Sequence, residues 1–477
     1  MIEATISAGR LRGDAGEVLA FRGVPYATAA RFAAPEPVTP WDGLRDATTS
    51  SAAPLQIAST DAPVPDMTVA AIGDDCLTAE IRTPSLDGSR PVLVWIPGGS
   101  FKIGGNALAT YDGTRQAVDG DLVTVAVNYR LGVCGFLAAD GVPTNLGLRD
   151  LIAALEWIRS EIDAFGGDPR RVIVMGESAG AGAIAHLLAV PGIERLVDGA
   201  ILASGAPTGT LSTDTAAIVA SEVLDTAGTD RIVDLASMSP DDLLGVQARA
   251  DAALLPTVGM MPFHPWIDGD LLPRAPMAAA RAGTLAPVPI VVGTTAQEME
   301  LFRDAVPDLA PEFAAAWLGP KVEAVTGVTP RPGQIEAGLA AAGDLVEAIA
   351  DTDLHLPAVV LADAHAAAGH PVWRYRFDWP APGIGAAHAV DLPFHFGTLD
   401  VADWRAFVGG DNDGADALST AMRSAWAAFC HRGTPACAPI GAWPRHDTRR
   451  STVRLGAAIT VEDDPDGDRR RAWMGED

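Results

Sequence analysis

Residues 171–182, RVIVMGESAGAG, constrain this chain more than any other stretch. Val172, Ile173, Val174 and Met175 form a short apolar run, as in a strand buried on both faces. Gly176-Glu177-Ser178-Ala179-Gly180 then satisfies G-x-S-x-G, and residues 181–190 read as a helix with few polar residues. A turn this sharp, from strand straight into helix, forces its central serine into strained backbone angles. Small neighbours are needed wherever other chain comes close. The serine hydroxyl then stands at the carboxyl end of a sheet, with the start of a helix behind it. The pattern is not decisive alone. Among 49 glycines in 477 residues it also arises by chance, and Ser178 is then only a turn residue. A base, an acid and an oxyanion site elsewhere must complete it.

The neighbouring runs place that strand in a sheet. Residues 91–96 (PVLVWI), 122–128 (LVTVAVN), 200–203, 289–292 and 372–377 are further strands. Residues 145–160 carry Leu148, Leu151, Ile152, Leu155 and Ile158 at helical spacing. Strands alternating with helices predict an α/β chain, with a mostly parallel central sheet and helices on both faces. Residues 5–11 and 18–21 predict an antiparallel hairpin turned by Gly13-Asp14-Ala15-Gly16. Ala-rich stretches at about 206–285 and 303–370 read as helical cap insertions over the carboxyl ends of the strands. No repeat or long linker divides the chain, so residues 1–477 are expected to form a single domain.

Composition narrows the partners. A formal net charge of −27 argues against nucleic acid. No apolar run reaches the roughly 18 residues of a membrane span. The opening residues, MIEATISAGRLRG, lack the basic start and apolar core of a signal peptide. Cys76, Cys134, Cys430 and Cys437 show neither metal-ligand spacing nor a dense disulfide framework. The simplest compartment is a reducing cytoplasm. Residues 180–185 fit G-x-G-x-x-A, a dinucleotide fingerprint, but they fall inside the helix after the turn, where close packing explains them. No H-E-x-x-H is present. Neither a cofactor nor a metal is expected.

A nucleophilic serine needs a base to take its proton and an acid to orient that base. On a strand–turn–helix of this kind the acid and then the base follow the serine in chain order. His388 lies in Gly385-Ala386-Ala387-His388-Ala389, a small-residue loop after the 372–377 strand, and suits a base that approaches other backbone. His395, in PFHFG, reads as a packed core histidine, and His186 lies two helical turns below Ser178. For the acid, Glu298 and Glu300 both follow the 289–292 strand, and either also fits an exposed carboxylate in a first helical turn. Oxyanion donors are expected from the N–H of Ala179 and from the loop at Gly98-Gly99, unless that pair is a plain turn.

Longer motifs carry a resemblance almost from end to end. They include FRGVPYA (21–27), RFAAPEP (31–37), GDDCLTAEIRTP (73–84), NYRLGVCGFL (128–137), NLGLRDLIAALEW (145–157), FGGDPRRVIVMGESAG (165–180), GTTAQEMELF (293–302) and GAAHAVDLPFHFG (385–397). In these the chain resembles the type B carboxylesterases, the carboxylesterase/cholinesterase family of the α/β-hydrolase fold. The resemblance implies Ser178 as nucleophile, Glu298 as acid and His388 as base. It implies oxyanion N–H groups from Gly99, Ser100 and Ala179, with Glu177 and Ser204 supporting the triad. It also implies hydrolysis of a small-molecule carboxylic ester through an acyl-enzyme, without a cofactor, and sets no oligomeric state. Two alternatives are a non-catalytic cholinesterase-like binding protein and a hydrolase of amides or carbamates. The chain departs from the family pattern at Pro97, usually His or Tyr, and at Ser100, usually Gly or Ala, whose side chain is expected to narrow the pocket. Thr295 and Met299 break the pattern of the acid loop. The cysteine that often pairs with that of the DCL motif is missing from Ala53-Pro54-Leu55-Gln56, so Cys76 is expected to be a buried free thiol.

Overall fold

The apolar runs pair into a sheet whose order differs from their order in the chain. In the computed structural model, residues 1–57, 63–205, 209–306, 309–410 and 413–476 are described. Thirteen strands form among them: β1 (Ile2–Ile6), β2 (Gly9–Ala15), β3 (Leu19–Pro25), β4 (Leu44–Asp46), β5 (Thr78–Thr83), β6 (Arg90–Ile96), β7 (Val123–Val127), β8 (Gly167–Glu177), β9 (Gly199–Ala203), β10 (Ile290–Thr295), β11 (Val372–Phe377), β12 (Ser451–Leu455) and β13 (Ile459–Asp463). The sheet order is β1-β2-β3-β5-β7-β6-β8-β9-β10-β11-β12-β13, with β4 beside β2. From β7 to β12 every neighbouring pair is parallel, and antiparallel strands finish both edges. This is the α/β-hydrolase fold, and β8 lies in the parallel middle.

Alternation along the central strands explains why they are buried on both faces. Val92, Val94, Val172 and Val174 belong to one core; Leu93, Trp95, Ile173 and Met175 belong to the other. Helices Leu146–Glu161 and Ala179–Leu188 cover the first face. Helix Asp413–Arg432 covers the second with Met422, Trp426 and Phe429. Among the described residues, no helix is long and apolar enough to cross a membrane. All four cysteines are free thiols, Cys76 among the buried ones.

The N-terminal hairpin differs from expectation. The 5–11 run spans the turn between β1 and β2, with Ile6 opposite Gly9, and Gly13 lies within β2 rather than in a turn. Gly13 is a packing residue. A methyl there would lie 2.5 Å from the Ala20 carbonyl oxygen. The insertions do form helices: Thr213–Ala227, Ile232–Ser237 and Pro240–Leu254 in the first, Pro311–Thr326, Gln334–Ala342 and Leu345–Ala350 in the second. Their last helices fold back toward the sheet: Leu356–Ala367 packs against β10 and β11, and Pro276–Arg281 packs against Leu356–Ala367 and helix Ala179–Leu188. Residues 206–208 and 307–308, within the two expected insertions, lie outside the described residues.

The turn after β8 depends on glycine for space. A methyl on Gly180 would lie 2.1 Å from the Ile96 carbonyl oxygen, whereas one on Gly182 would meet nothing closer than 3.7 Å. Gly180→Ala should therefore cost about 3 kcal/mol or more, as overpacking against rigid backbone does. Gly182→Ala should be neutral or gain up to about 1 kcal/mol from helix propensity. Urea unfolding of the two variants checks this contrast, and equal stabilities would contradict it.

Candidate active site

Ser178 is the residue where β8 becomes helix Ala179–Leu188, and its backbone is left-handed, with φ 54° and ψ −127°. Its N–H donates to the Ala203 carbonyl at the end of β9 (2.9 Å), and its carbonyl accepts from Gly182 N–H (2.9 Å). Both bonds hold the strained residue in place. Its hydroxyl is thereby presented above the carboxyl end of the sheet.

The acid and base candidates come from the next two crossovers. Glu298 follows β10 and is fully buried. One of its carboxylate oxygens accepts the Thr295 N–H (2.8 Å), and the other accepts from His388 Nδ1 (2.7 Å). His388 Nε2 stands 2.9 Å from Ser178 Oγ. With Nδ1 donating to a carboxylate, neutral His388 has a bare Nε2 facing the hydroxyl. Two hydrogen bonds zip the two loops together. Gln297 N–H donates to the Ala386 carbonyl (2.9 Å), and the Gln297 side-chain oxygen accepts the Ala386 N–H (2.8 Å). A methyl on Gly385 would lie 2.7 Å from that same oxygen. Gln297 is thus a site residue that sequence reasoning missed; its place between the 290–295 strand and Glu298 was the only signal.

The rival residues take other roles. Glu300 is partly exposed and pairs with Arg303 (2.7 Å). His395 is fully buried; it accepts from Trp426 Nε1 at Nδ1 (3.1 Å) and donates from Nε2 to Asp391 (3.0 Å). His186 pairs with the Gly182 carbonyl and Thr210, well away from the Ser178 hydroxyl.

The loop after β6 lies against the serine. A methyl on Gly98 would lie 2.6 Å from the Glu177 carbonyl oxygen and 3.2 Å from Ser178 Cβ. Gly99 has φ 112° and Ser100 φ 55°. Ser100 is exposed rather than packed. Ala179 opens the helix, so its N–H has no partner within it. Gly98 thus lies against Ser178, and Gly99 and Ser100 follow it along the same loop. Pro97 is fixed from beneath by the Tyr129 hydroxyl, which donates to its carbonyl (3.1 Å). Ser204 is buried just after β9 and donates its N–H to the Gly293 carbonyl (2.9 Å).

Three buried carboxylates surround the imidazole. Glu177 Oε1 lies 3.3 Å from His388 Nε2 and has no hydrogen-bond partner. Burial pushes the Glu177 carboxyl up to about 8; His388 opposes the rise, while Asp391 and Glu298 add to it. Burial would lower His388, but the charge of Glu177 and the hydrogen bond and charge of Glu298 outweigh it and raise the imidazole to about 9. Burial would also raise Glu298, yet its bond to His388 and the charge of that ring hold it below the usual carboxylate value. Asp391, fully buried and one turn before His395, is the other group that sequence reasoning missed.

This chemistry can be set beside known proteins. A model of the "Carboxylesterase family" matches residues 2–315 and 333–470. The para-nitrobenzyl esterase of Bacillus subtilis is 34% identical over 98% of this chain and 97% of its own. The fumonisin B1 esterase of Sphingopyxis macrogoltabida is 31% identical over 94% of this chain and 86% of its own. Among solved structures, a thermophilic PNB esterase superposes with a TM-score of 0.89 at 32% identity, covering 99% of both chains.

The charges around His388 generate a measurable expectation. Glu177→Gln removes the carboxylate that does most to raise the imidazole. The His388 pKa should fall by about one unit or more, each unit being about 1.4 kcal/mol of interaction. NMR titration of the His388 ring checks it; an unchanged titration would show that Glu177 is not the source.

Proposed function

We propose how this chain, which belongs to the carboxylesterase family and is a carboxylic ester hydrolase, carries out that hydrolysis: Ser178 is the nucleophile, His388 the base and Glu298 the acid that orients it. The observation that carries this reading is the continuous path Ser178 Oγ–His388–Glu298, at 2.9 and 2.7 Å, drawn from three separate loops. His388 Nε2 takes the hydroxyl proton as Oγ attacks the ester carbonyl carbon. The N–H groups of Gly99, Ser100 and Ala179 receive the developing oxyanion. As the tetrahedral centre collapses, the proton on His388 passes to the leaving alcohol, and the acyl group stays on Ser178. Water then gives a proton to His388 as it attacks the acyl carbon, and His388 returns that proton to Ser178 Oγ as the acyl–oxygen bond breaks and the acid leaves.

The surrounding carboxylates fit this sequence. An imidazolium forms in the first step, and the charges of Glu177 and Glu298 favour it. Glu177 and His388 titrate as a pair, and His388 acts as the base once its ring has given up the extra proton. The substrate we propose is a small-molecule carboxylic ester. The name of the Bacillus subtilis relative makes para-nitrobenzyl esters the first to assay. The four free thiols support a reducing cytoplasm as the compartment.

Ser178→Ala should keep its fold and lose on the order of 10⁶ in turnover, the usual cost of a triad nucleophile. Substantial activity in the folded variant would overturn the assignment. Glu298→Gln should lose about 10³–10⁴ by analogy with other buried triad acids. Glu300→Gln should lose less than roughly tenfold, about 1.4 kcal/mol of barrier. Turnover of both variants on one aryl ester, with circular dichroism to verify folding, separates them. A crippled Glu300→Gln would shift the acid by two residues.

A further inference from the structure

The oxyanion loop is strained over three consecutive residues. Gly99, Ser100 and Phe101 all have positive φ, at 112°, 55° and 57°, and two of them are not glycine. Such backbone persists only where its surroundings hold it. Part of the hold is local: Lys102 and Ile103 N–H both donate to the Gly99 carbonyl (2.9 and 3.0 Å), and Gly132 N–H donates to the Phe101 carbonyl (2.7 Å). The rest comes from the first insertion. Lys102 Nζ pairs with Asp251 (3.1 Å) and donates to the Met260 carbonyl (2.9 Å). Asp251 belongs to the last turn of helix Pro240–Leu254, and Gln247 of the same helix accepts the Val133 N–H (2.9 Å). One helix therefore grips the strained loop at Lys102 and, through Gln247, the 132–133 turn that holds Phe101.

We propose that Lys102 is a positioning residue for the oxyanion donors: its bonds to Asp251 and Met260 pin the Gly99–Ser100 backbone to the cap, so that transition-state stabilisation depends on how the cap is seated. Lys102 touches no reacting atom. Its backbone N–H fixes the Gly99 carbonyl while its ammonium fixes the helix, so motion of one is passed to the other. Lysine suits the post because one compact cation satisfies a carboxylate and a carbonyl together. Lys102 is one of only two lysines in the chain, and the other, Lys321, pairs with Asp353 in the second insertion. The inference rests on the reading that Gly99 and Ser100 supply oxyanion N–H groups.

The test compares Lys102→Met, Asp251→Asn and the double variant on para-nitrophenyl butyrate. Donors that act only in the transition state affect kcat rather than KM. Each single variant should lose about 10- to 100-fold in kcat, less than complete removal of a donor costs, with KM changed by less than roughly threefold. The double variant should be no worse than the poorer single one, because both break the same link. An aryl trifluoromethyl ketone, which adds to Ser178 Oγ to give a tetrahedral oxyanion, should weaken in Ki by the factor lost in kcat. A residue that only supports the pocket would raise KM and leave the ratio of Ki to KM unchanged. Folded variants within twofold of the parent kcat, or losses that add in the double variant, overturn the proposal. If Lys102→Met does not fold, Asp251→Asn decides it by the same criteria. Ser178→Ala, run alongside, keeps the two readings apart: if it stays active the triad assignment has failed, and if it is inactive while Lys102→Met is normal, only the positioning role has.

Discussion

Backbone crowding around one left-handed serine is the constraint on which the rest of the site depends. Methyl groups on Gly98, Gly176, Gly180 and Gly205 would all lie within 2.6 Å of backbone atoms: the Glu177 carbonyl, Gly180 itself, the Ile96 carbonyl and the Ser178 carbonyl respectively. Three separate pieces of chain meet there with no room for a side chain. The strain of such a conformation, of order 1–3 kcal/mol, has to be borne by surrounding structure. Here β6 and β9 bear it from either side of β8, the first through close contact and the second through the Ala203 carbonyl. A rigid centre of this kind also fixes where everything else must come. The Gly98 loop can approach only as closely as the Glu177 carbonyl allows, and His388 must reach the hydroxyl from the opposite crossover.

Charge is the second constraint, and its distribution is uneven by construction. Glu298 and Glu177 are both buried beside the same imidazole. Glu298 accepts two N–H groups and stays ionised; Glu177 has an oxygen with no partner and is driven toward its neutral form. The difference lies in hydrogen bonds rather than depth. One carboxylate is thereby committed to holding the ring, while the other is free to exchange a proton with it. The same principle separates His388 from His395. Both have a carboxylate partner, but the second nitrogen of His395 is taken by Trp426, and that of His388 faces Ser178.

Much of this was legible from the residues, for identifiable reasons. The strand, turn and helix around Ser178 were readable because an apolar run and spaced glycines each answer a local need. The His388 loop was readable because its small residues reflect close backbone approach. Local pattern could not choose between Glu298 and Glu300, which are two residues apart. That choice is made by Gln297 and Ala386, which come together only in the fold. β5, β12 and β13 escaped notice because TAEIRT, STVRL and ITVED carry charged residues on strands toward or at the sheet edges. Gly13 was misread as a turn because a glycine demanded by a distant carbonyl looks, in one dimension, like a glycine demanded by its own torsion angle.

The hydrogen bond between Ser178 and His388 joins residues 210 positions apart, and the one between His388 and Glu298 spans 90. Contacts of such range form late, since the loop entropy they cost must be met before they stabilise anything. On the ribosome, β6 and β8 emerge and can pair well before either partner loop has been made. The serine turn is thus built early and stays chemically idle, an alcohol with no base beside it. Reactivity switches on only when the loop bearing His388 docks. A nascent or half-folded copy of this chain is therefore harmless to the esters around it, and recovery of activity after denaturation reports closure of the whole sheet rather than of any part.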